Sequence, residues 1–565
     1  MKLPTELALR EQFYQDVMTA CMKSAERRSG VYNMLMHYYT YGSGPQEDPS
    51  PYNKIHTVVD TLTAFLYSAD STRFSAHLGP DVDDAEWDKV PPVSRAMNNE
   101  WMNNGADLIF SEALELSMVY GSTICKWVVK DSHLQPHVIE PHCFGVYRED
   151  INGMDRQEAM CHVYYITRTQ LEQELESHPN QVAIMAKIQA KPKPDDDGMP
   201  ERLRQIIVSN SPGSGPLTPG NTVHGNAAPA WGITNIDYTP VLDVDLIEMA
   251  ELWIWNGAIN DYQTVTMADG RVTIYDRPNI FVPKSHPFAQ VCPSPRKGYF
   301  WGEAITSRLI GLQAKRNKAM TRKDHILDLQ ADPPTTLEGF TGAIDEIAMS
   351  LKMPGTAVPL GDSPMAKATM QKRDVPSDVY ADIREIDEMF SEAAALPPLL
   401  MGRGESGVRS GRQTSELSRL GSSRIKKRAL VIEDCLDTFA TIGFKAMRRY
   451  QDDDYMTEPT GGGKPMKFIL AQVDENLLIK VDAHSNSPLF IEDQKALAGE
   501  MLEARAIDRS SFIEMLNPPM KSVLLRRLKT IEANEAKAAK EKAQHEQQME
   551  QAKHQPQPGA PAKVK

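Results

Sequence analysis

No stretch of this 565-residue chain approaches the ~18 consecutive apolar residues of a membrane helix, so no helical membrane span is expected. The first residues, MKLPTELALREQF, lack the apolar centre of a secretory leader, which makes a reducing compartment the expectation. The six cysteines, Cys21, Cys125, Cys143, Cys161, Cys292 and Cys435, form no CxxC pair. Scattered thiols in such a compartment are expected to be free and buried. There is no GxxxxGK[ST], no GxSxG and no HExxH, so nothing points to an ATPase motor, a serine hydrolase or a zinc peptidase. Carboxylate clusters such as DVDDAEWD and QDDDY read as exposed loops rather than paired acid/base sites. Positive charge is also in deficit: 62 Lys and Arg against 76 Asp and Glu leave a formal net charge of −14, which excludes a generic nucleic-acid coat.

Against that acidic background one segment is basic. Arg403 to Arg428 holds eight basic and two acidic residues. Such a segment can contact phosphate locally without wrapping it. Two alternatives are a solvated helix face and pairing with carboxylates of a neighbouring subunit. The segment joins two helical runs. In the first, Val379, Ile383, Ile386, Phe390 and Ala393 share a face, with Pro376-Ser377 as a start signal and Pro397-Pro398 as a stop. In the second, Ile425, Ala429, Ile432, Leu436, Phe439, Gly443 and Met447 make another stripe. Between them MGRGESGVRSGRQ contains four glycines and three arginines. Its GRGESG formally matches GxGxxG, but a helix ending in Pro-Pro precedes it where a dinucleotide site needs a strand. His133, His137, His142, Cys143, Cys161 and His162 cluster in sequence without finger or knuckle spacing, so core or surface histidines are expected there and no metal.

The rest of the chain changes character along its length. Thr5 to Tyr39 has loose helical spacing, and Ile55, Val58, Val59, Leu62, Phe65, Leu66 and Ala69 predict an amphipathic helix. RFSAHL reads as a strand, and Val93 to Tyr120 as one helix with Met97, Trp101, Ala106, Ile109, Ala113 and Leu116 inward. STICKWVV, HVIEPHCFGVY and MCHVYYI predict a small sheet, and RTQLEQELESH a short helix. Residues 191–235, rich in Pro, Gly, Ser and Asn, read as an exposed insertion. Strands resume with VLDVDLIEMAELWIW, YQTVTMA and RVTIYDRPNIFV, giving one α+β domain around the insertion. Gly302 to Leu329 predicts a basic helix with Ile305, Leu309, Leu312, Ala319 and Leu327 apolar, stopped at Asp332-Pro333-Pro334. A compact segment to Pro376 follows, with a helix near Ile344–Leu351 and a strand near Thr356–Leu360. MKFILA and LLIKVDAH predict late strands, SPLFIEDQKALAGEMLEARAIDRSSFIEML two helices, and the residues from Asn534 a frayed tail.

This order of elements resembles a tailed-bacteriophage portal protein, the head-to-tail connector. The resemblance is carried by YNKIHTVVDTLTAFLYSAD, HVIEPHCFGVYRED, PSPRKGYFWGEAITSRLIGLQAKRNKAMTRKDHILDLQADPP, FSEAAALPPLLMGRGESGVRSGRQ and SPLFIEDQKALAGEMLEARAIDRSSFIEML. It implies a portal-type α+β fold. Residues 1–297 would be an α/β wing, 298–331 a first stem helix, 332–376 a small α/β clip and 377–400 a second stem helix. Residues 401–413 would be a tunnel loop, 414–450 a long helix, 451–490 strands returning to the wing, 491–533 a helical crown and 534–565 a flexible tail. The resemblance further implies a homo-oligomeric, dodecameric ring at one capsid vertex of the virion, assembled in the host cytoplasm. Double-stranded DNA would occupy its channel for packaging and ejection. The terminase large subunit, the head-tail adaptor, the major capsid protein and a scaffold would be its partners, with no cofactor, no membrane and no catalysed reaction. Arg403, Arg409 and Arg412 are then the DNA-facing candidates, and Arg316 and Lys323 are further candidates on the channel side of the stem. Intersubunit salt bridges are the competing role for the loop arginines. Two other classes compete: a different virion component such as an adaptor or internal head protein, and more distantly a nucleotide-binding enzyme built on GRGESG.

Overall fold

A computed structural model describes residues 1–79 (apart from 2, 46, 48–49 and 69–71), 84–189 (apart from 131–132), 246–331, 335–338, 367–370, 377–396, 423–451, 454–456, 466–481 and 498–504, with scattered positions from 506 to 537. The chain divides into two units, Met1–Asn486 and Ser487–Lys565.

Helix α1 (Leu7–Tyr41) runs into helix α2 (Ile55–Leu66), whose Ile55, Val58, Val59, Leu62 and Leu66 are fully buried on the stripe their spacing predicts. Strand β1 (Phe74–His77) follows. The single helix predicted over 93–120 is in fact two, α3 (Val90–Asn103) and α4 (Ala106–Tyr120). Between them Gly105 sits at φ 63°, a left-handed conformation that costs little only without a Cβ. The break resets the helical phase. Phe110 and Leu114 therefore fill the core, while Ile109 and Leu116 are half-buried.

Strands β2 (Thr123–Lys130), β3 (His133–Ile139), β4 (Phe144–Val146) and β5 (Ala159–Thr167) come next. Thr167 and Gln170 form a capping box that opens α5 (Arg168–Glu174), and α6 (Gln181–Gln189) follows. Strands β6 (Leu246–Asn256), β7 (Asp261–Ala268) and β8 (Val272–Pro278) join β4 and β5 in an antiparallel sheet of order β4-β5-β6-β7-β8. Strand β9 (Phe288–Val291) completes a second sheet, β3-β2-β9. Both faces of the larger sheet are covered. Ala250, Leu252 and Ile254 meet Tyr14, Val17, Cys21 and Met22 of α1. Ile247 and Met249, pointing the other way, meet Leu171, Leu175, Ile184 and Ile188. A strand buried on both sides needs no polar alternation, which accounts for the apolar run around β6. Each fully buried Leu, Ile or Met side chain there stabilises by about 1.5–3 kcal/mol.

Helix α7 (Ile305–Ala331) leads to β10 (Thr335–Glu338), which pairs with β11 (Lys367–Met370) in a ladder the sequence did not announce. Helix α8 (Ser377–Ala394) follows, then α9 (Ser423–Tyr450). Strands β12 (Asp454–Met456) and β13 (Lys467–Ile469) pair with each other, and β14 (Leu478–Val481) pairs with β1. In α9, Ile425, Ala429, Ile432, Leu436 and Phe439 are fully buried. The Phe439 ring stacks on Trp127 at 4.7 Å and meets Trp101 edge-on at 5.6 Å. Trp127 Nε1 donates to the Phe439 carbonyl at 2.9 Å. One turn on, a Cβ at Gly443 would lie 2.9 Å from the Trp127 ring, so this helical position admits only glycine without a shift. Asp437 Oδ1 accepts the Val481 N–H at 2.6 Å and fastens α9 to β14. Burial pushes that carboxyl up to about 6, with Glu433 and Asp434 adding to the rise.

All six cysteines are free and buried. In the second unit, residues 498–503 are helical and Ala498 is buried. The predicted helix near 344–351, the predicted strand near 356–360, the insertion at 191–235, the loop at 401–413 and the first residues of the run at 414–422 lie outside the described residues.

Candidate functional site

Helices α7 and α8 pack on each other. Arg428 of α9 donates to the carbonyl of Ala394, the last residue of α8, at 3.1 Å, and its charge also acts on Glu303, just ahead of α7. The β10–β11 ladder, pairing Thr335 with Met370, joins the opposite ends. The two helices are therefore an antiparallel hairpin with its root against the body of the first unit.

The root starts apolar, with Ile305 and Leu309 buried, and then turns polar. Gln313 is fully buried. Its Nε2 donates to the Tyr52 carbonyl at 3.0 Å and to Asn317 Oδ1 at 2.8 Å, and its Oε1 accepts the Lys54 N–H at 3.1 Å. Asn317 Nδ2 donates to the Gly42 carbonyl at 2.8 Å, and its Oδ1 accepts the Ser50 hydroxyl at 2.8 Å. Two turns on, Asp324 accepts the phenolic proton of Tyr52. The loop between α1 and α2 is thus fastened along α7 by side-chain amides and a carboxylate, each group satisfied by a specific partner.

At the centre lies an ion triad. Asp387 of α8 binds Lys54 Nζ at 2.6 Å and Arg316 Nε at 3.0 Å. Arg316 Nη1 also donates to the Tyr52 carbonyl at 2.8 Å. The three side chains are only 17%, 9% and 14% exposed. Burial acts to push the Asp387 carboxyl up, but hydrogen bonds and charge from Lys54 and Arg316 together outweigh it and hold the group below the usual carboxylate range. Lys54 Nζ also lies 5.4 Å from the centre of the Phe390 ring.

Arg316, a channel-side candidate from sequence, holds α7 to α8 and to the Tyr52 loop. Lys323 is half-buried on α7 and forms no ion pair with another described residue. Arg403, Arg409 and Arg412 lie outside the described residues. Lys54, Gln313, Asn317, Asp324 and Asp387 went unremarked in the sequence. One signal was available: Gln313 and Arg316 continue the inward spacing of Ile305, Leu309 and Leu312. Polar residues where periodicity demands apolar ones mark a buried hydrogen-bonded network.

A second buried charge centre sits between the two sheets. Lys126 of β2 donates to Glu251 of β6, and Trp253 Nε1 donates to the other Glu251 oxygen at 2.7 Å. His162, the cross-strand partner of Glu251, lies beside them, and burial together with the Lys126 charge pushes its imidazole down to about 4. The remaining clustered histidines divide between surface and core. His133 and His137 are exposed on β3, and the buried His142 sits edge-on to Tyr32 at 5.2 Å. Among the described residues, no three His, Cys, Asp or Glu side chains are set to hold a metal ion. No described helix is long and apolar enough to cross a membrane.

No family model matches the chain, and no curated protein matches it. Solved structures of gene transfer agent particles do match. A chain in the neck of the empty particle, computed with C6 symmetry, is 9% identical with a TM-score of 0.39, over 82% of this chain and 90% of that one. A chain in the virion of the native particle is 8% identical with a TM-score of 0.40, over 86% and 93%. A chain in the native neck, computed with C12 symmetry, is 10% identical with a TM-score of 0.40, over 86% and 93%. Likenesses this distant assign no role to the chain.

Proposed function

We propose that this chain is the subunit of a phage portal: a ring at one capsid vertex through which double-stranded DNA is packaged and ejected, acting without a chemical step. The observation that carries this is the excursion α7–β10/β11–α8, an antiparallel hairpin rooted by the Lys54–Asp387–Arg316 triad and followed by a helix that crosses the aromatic core. In this reading α7 and α8 are the stem, and the β10–β11 ladder belongs to the clip that meets the terminase large subunit and later the head-tail adaptor. The major capsid protein and a scaffold surround the body during assembly in the host cytoplasm. The segment at 401–413, outside the described residues, would supply the arginines of the channel in this reading. A ring repeats Arg403, Arg409 and Arg412 once per subunit, so a modest local charge becomes a belt that grips phosphate without reading sequence. The overall charge of −14 keeps the rest of the surface from holding DNA.

The purified full-length protein should appear as rings with a central hole by negative-stain imaging; a monodisperse monomer at all concentrations rejects the proposal. Within the ring, R403A/R409A/R412A should assemble normally and lose DNA packaging or retention. Unchanged packaging and retention would remove these arginines from the channel.

A further inference from the structure

We infer that the outward faces of α7 and α8 are the two halves of one contact, the basic row of one copy seating on the acidic row of the next. This rests on the ring reading and adds the surface that closes the ring. Lys315, Lys318 and Arg322 are exposed along α7. Lys318 and Arg322 form no ion pair with a described residue, and Lys315 reaches Asp382 only at 3.7 Å, with both side chains about half exposed. Along α8, Glu385, Glu388 and Glu392 are exposed and likewise form no ion pair with a described residue. The two triplets have the same spacing, three residues and then four, which puts each on a single helical stripe about 10 Å long. None of the six belongs to the buried root, and the one link any of them makes across the hairpin, Lys315 to Asp382, is long and half exposed.

The hairpin is antiparallel, so α7 of one copy laid beside α8 of another is antiparallel as well. Reversing one triplet displaces its middle member by a single residue, about 1.5 Å, well within the reach of Lys, Arg and Glu side chains. A row of cations alone would suit duplex phosphate as well as carboxylates. The row on the adjoining helix, with exposed Arg384 at its edge, presents three carboxylates at the same pitch, and every copy carries both rows. At a net charge of −14 the copies repel at long range, and local opposite rows fix where they can meet. Two different patches on each subunit make a heterologous contact, the kind that closes into rings.

Single exposed ion pairs contribute little, whereas like charges face to face are costly, so charge reversal is the informative change. Two full-length variants test it: K315E/K318E/R322E, with both faces acidic, and E385K/E388K/E392K, with both basic. Each alone should self-associate at least ~100-fold more weakly in analytical ultracentrifugation, while its far-UV circular dichroism stays that of the wild type. Mixed in equal amounts they should assemble again, into oligomers containing both in equal proportion, because each supplies the face the other lost. Wild-type assembly by either variant alone overturns the inference, as does a mixture that stays apart although both fold. If K315E/K318E/R322E assembles normally but releases duplex DNA, the basic row serves nucleic acid and the contact is elsewhere. Either result leaves the ring reading standing. A wild-type chain that never self-associates removes the ring reading itself.

Discussion

Helices α7 and α9 are nearly equal in length, 27 and 28 residues, and are held by opposite means. Helix α9 buries Ile432, Leu436 and Phe439, and the Phe439 ring packs on Trp127, Trp101 and Phe110. Helix α7, beyond Leu309, is held by Gln313, Arg316, Asn317 and Asp324. Apolar packing is strong and tolerant of pH. A polar root gains less net energy, since each ion must be desolvated, but it accepts only one register, because a slipped helix would leave Lys54 and Asp387 unpaired. The crossing helix is therefore the ballast of the fold, and the hairpin is the part whose register is specified.

The comparison can be broken first at its apolar end. Phe439→Ala should lower stability by about 4 kcal/mol, read as a shift in urea midpoint at fixed protein concentration, and the loss should be the same at pH 5 and pH 8. A loss below ~1 kcal/mol would mean the aromatic stack does not carry the helix.

Asp387→Asn should cost about 3 kcal/mol at neutral pH, because two buried cations lose their carboxylate. Here pH matters. The folded-state value lies below the unfolded one of about 3.9, so the stabilisation is present above that value and disappears as pH falls through the folded one. The gap between wild type and variant should therefore close in acid. A gap that persists unchanged at pH 3 would assign the cost to packing rather than charge.

The smallest effect returns to α9 and has the opposite sign. Asp437 is raised to about 6, so its contribution is favourable below about 3.9 and is lost as pH rises through 6. Asp437→Asn keeps an oxygen for the Val481 N–H and removes the buried charge. It should gain about 1 kcal/mol at pH 7.5, allowing for solvent screening of a half-exposed group, and nothing at pH 4. Destabilisation at pH 7.5 would show that the ionised carboxylate is needed at this junction.

The same contrast explains what could be read from the sequence. The α9 stripe from Ile425 to Met447 was legible residue by residue, because burial of one face forces a 3.6-residue period. The strands around β5 and β6 were legible from β-branched and aromatic runs. The split between α3 and α4 was hidden, since a lone Gly105 reads as a tolerated helical glycine until its φ is known. The root of the hairpin was hidden for a deeper reason. Lys54 and Asp387 are more than 300 residues apart, and no local pattern says that one lysine among many finds one aspartate. The β10–β11 ladder was obscured by the four-residue length of each strand.

The pairing of β1 with β14 has a consequence in time. Phe74 lies opposite Val481, about 400 residues later, and α9 packs against that same late strand. At roughly 5–20 residues per second of synthesis, the early strand waits some tens of seconds for its partner. Contacts of such long sequence separation are the last and slowest to form. A nascent chain therefore cannot complete its body until nearly everything through residue 481 has been made, and the hairpin lies inside that interval. A chain cut short before β14 keeps the edge of β1 open, so the fold of the first unit closes on its own late strand.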